Sequence, residues 1–492
     1  MTSLLRIAMM VMIAIGTFII HPQPAHAFCG FYVAKADTSL YNKASQVAIA
    51  RDGNHTVLTM GNDYQGEVSD FALVVPVPTI ITEDQVDVAE KVVLDRLDAF
   101  SAPRLVEYFD SDPCEIMYRL EAEESLRFAD GATPSAAPSP RSSTALGVTI
   151  EEQFSVGEYD ILILSARESD GLETWLRQNQ YQLPDGASQV LAPYIRQGMK
   201  FFVAKVNLQE FDSSGYQSLR PLQISYDSPK FMLPIRLGML NADGNQDLLV
   251  YLLSPEGRIE LTNYRTVNIP TDVDLPLFVQ NDFGNVYPEM FQRRYEQENK
   301  NVAFLEYAWD MRSCDPCSAP VLNLSELEAA GVTWLSQGAN QRRPSPNIGT
   351  PPRPAAPSIF ISRLHVRYNR DKFPEDLMFQ TTSNRQFFQG RYVTRHAFTG
   401  SLDCPARLRE EYPNGEARRE LEAWTGEDYR KIVDDAQDRG RAYVRNLMAR
   451  FERESQNLAR LTGRDIQTIR QRISNEVPQP IPSPWLIRYP KS

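Results

Sequence analysis

An apolar run from Ile7 to Ile20, with Arg6 ahead of it and Ala25-His26-Ala27 behind it, sets the conditions under which the rest of the chain folds. A positive start, a short apolar core and a small-residue cleavage pattern mark a secretory signal. The run is shorter than the roughly 20 apolar residues that a membrane-crossing helix needs. The expectation is a signal peptide over 1–27, cleaved after Ala27, and a mature chain that is periplasmic or secreted. Phe28 precedes Cys29, so the cysteine does not hold the first mature position that a lipid anchor requires. No later stretch is apolar for long enough to cross a bilayer, and no transmembrane segment is expected in the mature chain.

Export changes what the cysteines can do. Cys29, Cys114, Cys314, Cys317 and Cys404 all follow Ala27, and disulfides persist in exported compartments. Two bridges with one thiol left over fit the count of five, with the pairing open. Cys314-Asp315-Pro316-Cys317 carries the most chemical promise: the spacing suits a small redox ring or half of a zinc site. Asp315 disfavours a thiolate, and Ser318-Ala319-Pro320 separates the pair from the helix start expected at Ser325. The sequence holds no second Cys-x-x-Cys. A structural bridge is therefore the preferred reading.

Asn241, Asp243, Asn245 and Asp247 place oxygen side chains at alternate positions, as a calcium loop does. Leu252 stands where the bidentate acid belongs, and Asp243-Gly244 between apolar runs is also a hairpin turn. The turn is preferred. No cofactor is predicted, with calcium at this loop and zinc at the Cys314/Cys317 pair as the weak candidates. Three histidines, His55, His365 and His396, follow the signal, and none lies in a metalloprotease helix motif. His365, between Leu364 and Val366, reads as a half-buried structural histidine. No nucleophile elbow, phosphate loop or dinucleotide fingerprint occurs. A net charge of -12 argues against nucleic acid as a partner.

The patterning predicts an α+β fold, largely antiparallel sheet with packed helices, plus a helical C-terminal region. Strands at 46–50 and 56–60 flank Arg51-Asp52-Gly53-Asn54, a tight-turn signal. A helix is expected from a Thr82 cap through Val86, Ala89, Val92, Val93 and Leu97. Strand, helix, helix and strand follow between Tyr159 and Val206. A hairpin is expected from Phe231 to Leu253, and late strands near 359–368 and 387–393 complete an earlier sheet. The expected organisation is an N-terminal α+β segment at 28–130, an Ala/Pro/Ser-rich linker at 131–147 and a main body at 148–400 with a Pro-rich insertion at 342–357. A helical region at 401–477 and a Pro-rich tail at 478–492 complete it. In the helical region Ile432, Tyr443, Leu447, Phe451, Leu458 and Leu461 supply an apolar stripe.

Several segments together resemble DUF2330, a bacterial family of exported proteins of unknown function. They are Phe28-Cys29-Gly30-Phe31, Tyr64-Gln65-Gly66 with Phe71 to Pro78, Val156 to Asp160, Leu172 to Leu176, Asn263-Tyr264-Arg265, Trp309-Asp310 with Cys314 to Cys317, and Phe373 to Leu377. The resemblance spans roughly Cys29 to Cys404. It implies export and a shared fold, and it implies no reaction. The functional expectation is a binding or scaffolding protein with an envelope or extracellular partner, more a surface than an enzyme. Thiol-disulfide exchange or metal-dependent catalysis at Cys314 and Cys317 is the alternative.

Overall fold

The computed structural model describes residues 31–35, 41–42, 45–61, 64–65, 71–115, 148–167, 169–178, 181–182, 186–214, 219–240, 244–312, 320–335 and 359–476. The signal region with its cleavage point after Ala27, Cys29, Asn241, Asp243, Cys314, Cys317, the linker at 131–147, the insertion at 342–357 and the tail at 478–492 lie outside the described residues. The architecture is α+β, with mostly antiparallel strand pairs and a helical C-terminal region. Among the described residues no helix is long and apolar enough to cross a membrane.

The chain divides into two compact units, each assembled from three stretches. The first comprises Met1–Leu97, Leu146–Arg265 and Leu322–Asn384; the second comprises Asp98–Ala145, Thr266–Val321 and Arg385–Ser492.

The first unit holds a sheet ordered Tyr181–Gln182, Phe31–Lys35, Phe71–Val77, Lys200–Val206, Tyr159–Ala166 and Val148–Val156, antiparallel throughout. Helices Ser169–Gln178 and Ala187–Arg196 cover one face. Ala187, Leu191, Tyr194 and Ile195 recur at helical spacing and pack against Val74, Leu164, Phe201 and Val203. A second run of strands, Phe360–Tyr368, Gln246–Ser254, Ser45–Asp52, His55–Gly61, Leu222–Asp227 and Val86–Val88, contains one parallel pair, between Gln246–Ser254 and Ser45–Asp52. The hairpin at 45–61 forms as its turn signal requires, with Gly53 at φ +54°.

Two expectations fail here for local reasons. Thr82 caps only the 3-10 turn Glu83–Gln85; Val86–Val88 is then a strand beside Leu222–Asp227, and the helix runs over Val92–Ser101. A ladder was open to the β-branched valines, and it outweighed the helical spacing. The hairpin across 231–253 does not form either. Met232–Leu233 pairs with Leu377–Thr381, while Gln246–Ser254 pairs with Phe360–Tyr368. Pro234 has no N–H to extend the first strand.

The second unit is built around the helix Tyr429–Thr462. Asp428 accepts a hydrogen bond from Arg430 N at its start, and Gly463, at φ +81°, closes its end by donating to Ala459 O. Helices Phe283–Gln297, Cys404–Glu411 and Ile466–Glu476 pack on it. Strand Arg391–His396 runs parallel to both Val273–Asp274 and Arg104–Phe109. The buried face of the long helix includes Leu447, Phe451, Leu458 and Leu461, which share a core with Phe278, Val279 and Tyr392.

Candidate functional site

Of the residues singled out by sequence, Cys114 and Cys404 form a disulfide, with Cα atoms 5.1 Å apart across a sequence separation of 290. The bridge sits among Leu408, Leu421, Ile432 and Ala436. Gly440 of the long helix passes so close that a Cβ there would meet Cys404 Sγ at 3.0 Å and Leu402 O at 3.2 Å. Asn245 Oδ1 accepts from Asn369 Nδ2 at 2.7 Å. Asp247 receives Arg367 Nε and Nη2, each at 2.7 Å, and lies 3.0 Å from His365 Nε2. Burial would raise the Asp247 carboxyl, but His365 and Arg367 hold it down to about 2. Its donors are thus protein side chains, and among the described residues no three His, Cys, Asp or Glu gather as a metal site.

The segments that carry the family resemblance in the first unit are wired as structural locks. Asn263 Nδ2 donates to Asp376 O, Met378 N donates to Asn263 Oδ1, and Tyr264 OH exchanges hydrogen bonds with Glu375 O and N. Asp376 Oδ1 accepts from Tyr194 OH at 2.6 Å, Ile235 N at 3.0 Å and Arg236 N at 3.2 Å. Asp376 Oδ2 accepts from Arg236 Nε and Nη2 at 3.1 and 2.7 Å. Glu158, 1% exposed, is held in the same manner by Arg220 N, Nε and Nη2. Buried carboxylates so fully paired are fixed in place and have no capacity left for a ligand.

A different arrangement lies in the second unit. A cavity of about 280 Å³ opens between Phe109-Asp110, Leu277-Phe278, Arg395 to Thr399, Phe451, Glu454 and Ile473. Phe109, Phe278, Phe398 and Phe451 contribute rings to its walls, and Phe109, 74% exposed, stacks on the His396 ring with centroids 4.2 Å apart at its edge. The polar groups come from a short sequence of contacts. Arg450 Nη1 donates to Asp110 Oδ1 and Oδ2 at 2.7 and 2.9 Å. Tyr443 OH donates to Asp110 Oδ2 at 2.7 Å and accepts from Phe398 N at 2.7 Å. Burial, with the Asp110 hydrogen bond added, pushes the Tyr443 hydroxyl up to about 12.

Glu454 is only 3% exposed and lines the cavity. Arg450 Nε lies 3.3 Å from Glu454 Oε1, yet the two do not meet in hydrogen-bonding geometry. Arg450 Nε, Arg450 Nη2 and Glu454 Oε1 are all buried without a hydrogen-bond partner among the described residues. Each such group costs about 1–3 kcal/mol. Burial pushes the Glu454 carboxyl up to about 8, further than Arg450 and Arg453 draw it down, with Asp274 and Asp110 adding to the rise. At neutral pH the cavity therefore presents a protonated acid, able to donate or accept, beside the hydrogen-bonded Asp110–Arg450 pair.

The disulfide positions this site. Cys114 ends the segment that begins at Asp110, and Arg407 Nη1 pairs with Asp112 Oδ1 at 2.8 Å within it. Asp110 N also donates to His396 O at 3.0 Å. Sequence reading found the bridge's cysteines and the apolar stripe but passed over Asp110, Arg450 and Glu454. The signal was present: Arg450 and Glu454 interrupt the stripe of Leu447, Phe451, Leu458 and Leu461 on its buried face, four residues apart.

A family model described as an uncharacterized protein conserved in bacteria, DUF2330, matches residues 23–380. No curated protein and no solved structure matches the chain. The family match contains Phe109, Asp110, Leu277 and Phe278 and ends before Arg395, so most of the cavity wall lies beyond it.

Proposed function

The chain belongs to the DUF2330 family of uncharacterized bacterial proteins, and from that premise we propose that it is an exported binding protein of the cell envelope or its surroundings, which holds a small amphiphilic molecule in the cavity of its second unit. The observation that carries this reading is Glu454, a buried carboxyl without a donor on one oxygen that faces an aromatic-lined space. Folded chains satisfy buried polar groups unless something is gained by leaving them open. Pockets that bind small molecules combine apolar walls with a few convergent polar groups in this way. At about 280 Å³ the space lies near the lower end of the roughly 300–1,000 Å³ range of small-molecule sites. Export is supported by the apolar run at Ile7–Ile20 and by the Cys114–Cys404 bridge, a bond kept in oxidising compartments.

The test is binding of N-phenyl-1-naphthylamine, a neutral dye that brightens in apolar surroundings, to the purified protein and to Thr399→Trp. Thr399 lies exposed at the cavity wall, so the larger ring covers the opening without entering the core. Saturable brightening that Thr399→Trp abolishes is expected. An absence of saturable brightening, or brightening unchanged by Thr399→Trp, would contradict the proposal. Export has its own check: N-terminal sequencing of protein from bacterial cells is expected to begin at Phe28, and a start at Met1 contradicts it.

A further inference from the structure

We infer that the cavity selects a monocationic amphiphile, a quaternary or protonated amine on a small apolar body, with Glu454 and Asp110 facing the cation and Phe109, Phe278, Phe398 and Phe451 enclosing the body. This rests on the binding role proposed above and names the chemistry of its ligand. The charges around Glu454 support it. From its own helix come Arg450 and Arg453; Asp274 comes from the strand Val273–Asp274, and Asp110 follows the strand Arg104–Phe109. Arg395 and His396 reach the wall from the strand Arg391–His396, and Arg472 of the helix Ile466–Glu476 stacks over Phe278 at 4.1 Å.

Arg453 and Arg472 are exposed to water, and each of the other three cations has an acid beside it. Arg395 Nε lies 3.2 Å from Asp274 Oδ1, and His396 Nε2 lies 3.1 Å from Glu107 Oε2. Arg450 is paired with Asp110 at 2.7 Å. Glu454 has only a share of that same guanidinium, with Arg450 Nε 3.3 Å from its Oε1, so ionising Glu454 beside Asp110 sets two carboxylates against one buried cation in a low-dielectric space. The molecule meets that cost now by keeping the proton. A bound monocation meets it instead: the cation enters, the Glu454 proton leaves to solvent, and the local charge stays balanced. The aromatic walls favour the same ligand, because a cation is attracted to ring faces, most of all where water is excluded. An anion could accept a hydrogen bond from the protonated Glu454, but it would sit against Asp110 and add negative charge to the space.

The experiment compares two probes of the same shape that differ in charge, phenyltrimethylammonium and tert-butylbenzene, each displacing the naphthylamine dye from the full protein. Phenyltrimethylammonium is expected to bind more tightly, with affinity rising about fifty-fold from pH 6 to pH 8 and levelling off above. tert-Butylbenzene is expected to show no such rise. Glu454→Gln, which keeps the shape of the protonated acid, should remove the pH dependence of phenyltrimethylammonium binding. Calorimetry of the unaltered protein in two buffers of different ionisation enthalpy gives a second readout: nearly one proton released per cation bound at pH 7. Equal or tighter binding of tert-butylbenzene, a flat pH profile for the cation, or no proton release overturns the inference. If the dye still binds in that case, the binding role survives without the charge selection; if the dye does not bind, both fall.

Discussion

Asp376 in the first unit and Glu454 in the second are both nearly inaccessible acids, and the protein treats them in opposite ways. Asp376 spends its lone pairs on Tyr194, the backbone of Ile235 and Arg236, and the Arg236 guanidinium. Glu454 has an arginine 3.3 Å away and still leaves Oε1 without a hydrogen bond. A carboxylate with every partner supplied specifies a fold; one with a partner missing keeps capacity for something else. The difference follows the family boundary. Asp376 lies within the matched residues and is tied to a segment that carries the resemblance, whereas Glu454 lies beyond them.

The strongest way to break this comparison is to remove both acids in turn. Asp376→Ala leaves Arg236 and the Tyr194 hydroxyl facing a void and is expected to cost about 3–5 kcal/mol. Glu454→Gln is expected to cost less than about 1 kcal/mol at pH 7, because the native acid is already uncharged. Denaturant unfolding of the two variants checks this, and equal losses would erase the distinction.

Removing the bridge comes next in size. Cys114→Ala with Cys404→Ala opens a loop of 290 residues' separation and should cost about 2–4 kcal/mol. Because the bridge also fixes the segment holding Asp110, dye binding should weaken in the double variant under conditions where it remains folded. Unchanged dye affinity would separate the bridge from the site.

Protonation sharpens the comparison further, since the two units respond to pH with opposite signs. Glu454 has a folded-state value of about 8 against an ordinary 4.5, so the folded protein holds a proton that the unfolded chain releases. Its stabilising contribution is complete below pH 4.5 and is lost as pH rises toward 8, by at most about 1.4 kcal/mol per unit. Asp247 has its folded value held down to about 2 from 3.8. Its contribution, about 2 kcal/mol, is complete above pH 3.8 and is lost as pH falls through 2. Unfolding measured from pH 2 to 9 should therefore show a fall in stability between about pH 4.5 and 8 that Glu454→Gln flattens and an acid slope below pH 3.8 that Asp247→Asn flattens. If either substitution leaves its slope unchanged, the corresponding assignment fails.

The smallest expected effect concerns the locks of the first unit. Asn263→Ala removes contacts to Asp376 O and Met378 N and should cost about 1–2 kcal/mol by thermal unfolding, without change in dye binding.

Much of the fold was legible in the sequence because its signals were local. The turn at Gly53, the alternation in Tyr159–Ala166, the short apolar run in Lys200–Val206 and the apolar stripe of Tyr429–Thr462 each specify their element from nearby residues. Val86–Val88 was misread because its partner, Leu222–Asp227, is remote in sequence and no local pattern announces it. Met232–Leu233 was assigned the wrong partner for the same reason. The site was less legible still. Asp110 and Glu454 are brought together by the chain's return through the bridge at Cys404, and neither sits in a motif. Only the charges placed on the buried face of the long helix hinted at it.

The claim at the centre of this account is that Glu454 carries a proton at neutral pH and releases it to a bound cation. Infrared difference spectra of the native protein against Glu454→Gln, recorded across pH, isolate the carbonyl stretch of that one protonated acid. The band is expected to persist through neutrality, to titrate near pH 8 and to disappear at pH 7 when phenyltrimethylammonium is added. A band already lost by pH 5, or one that the cation leaves unchanged, would contradict it.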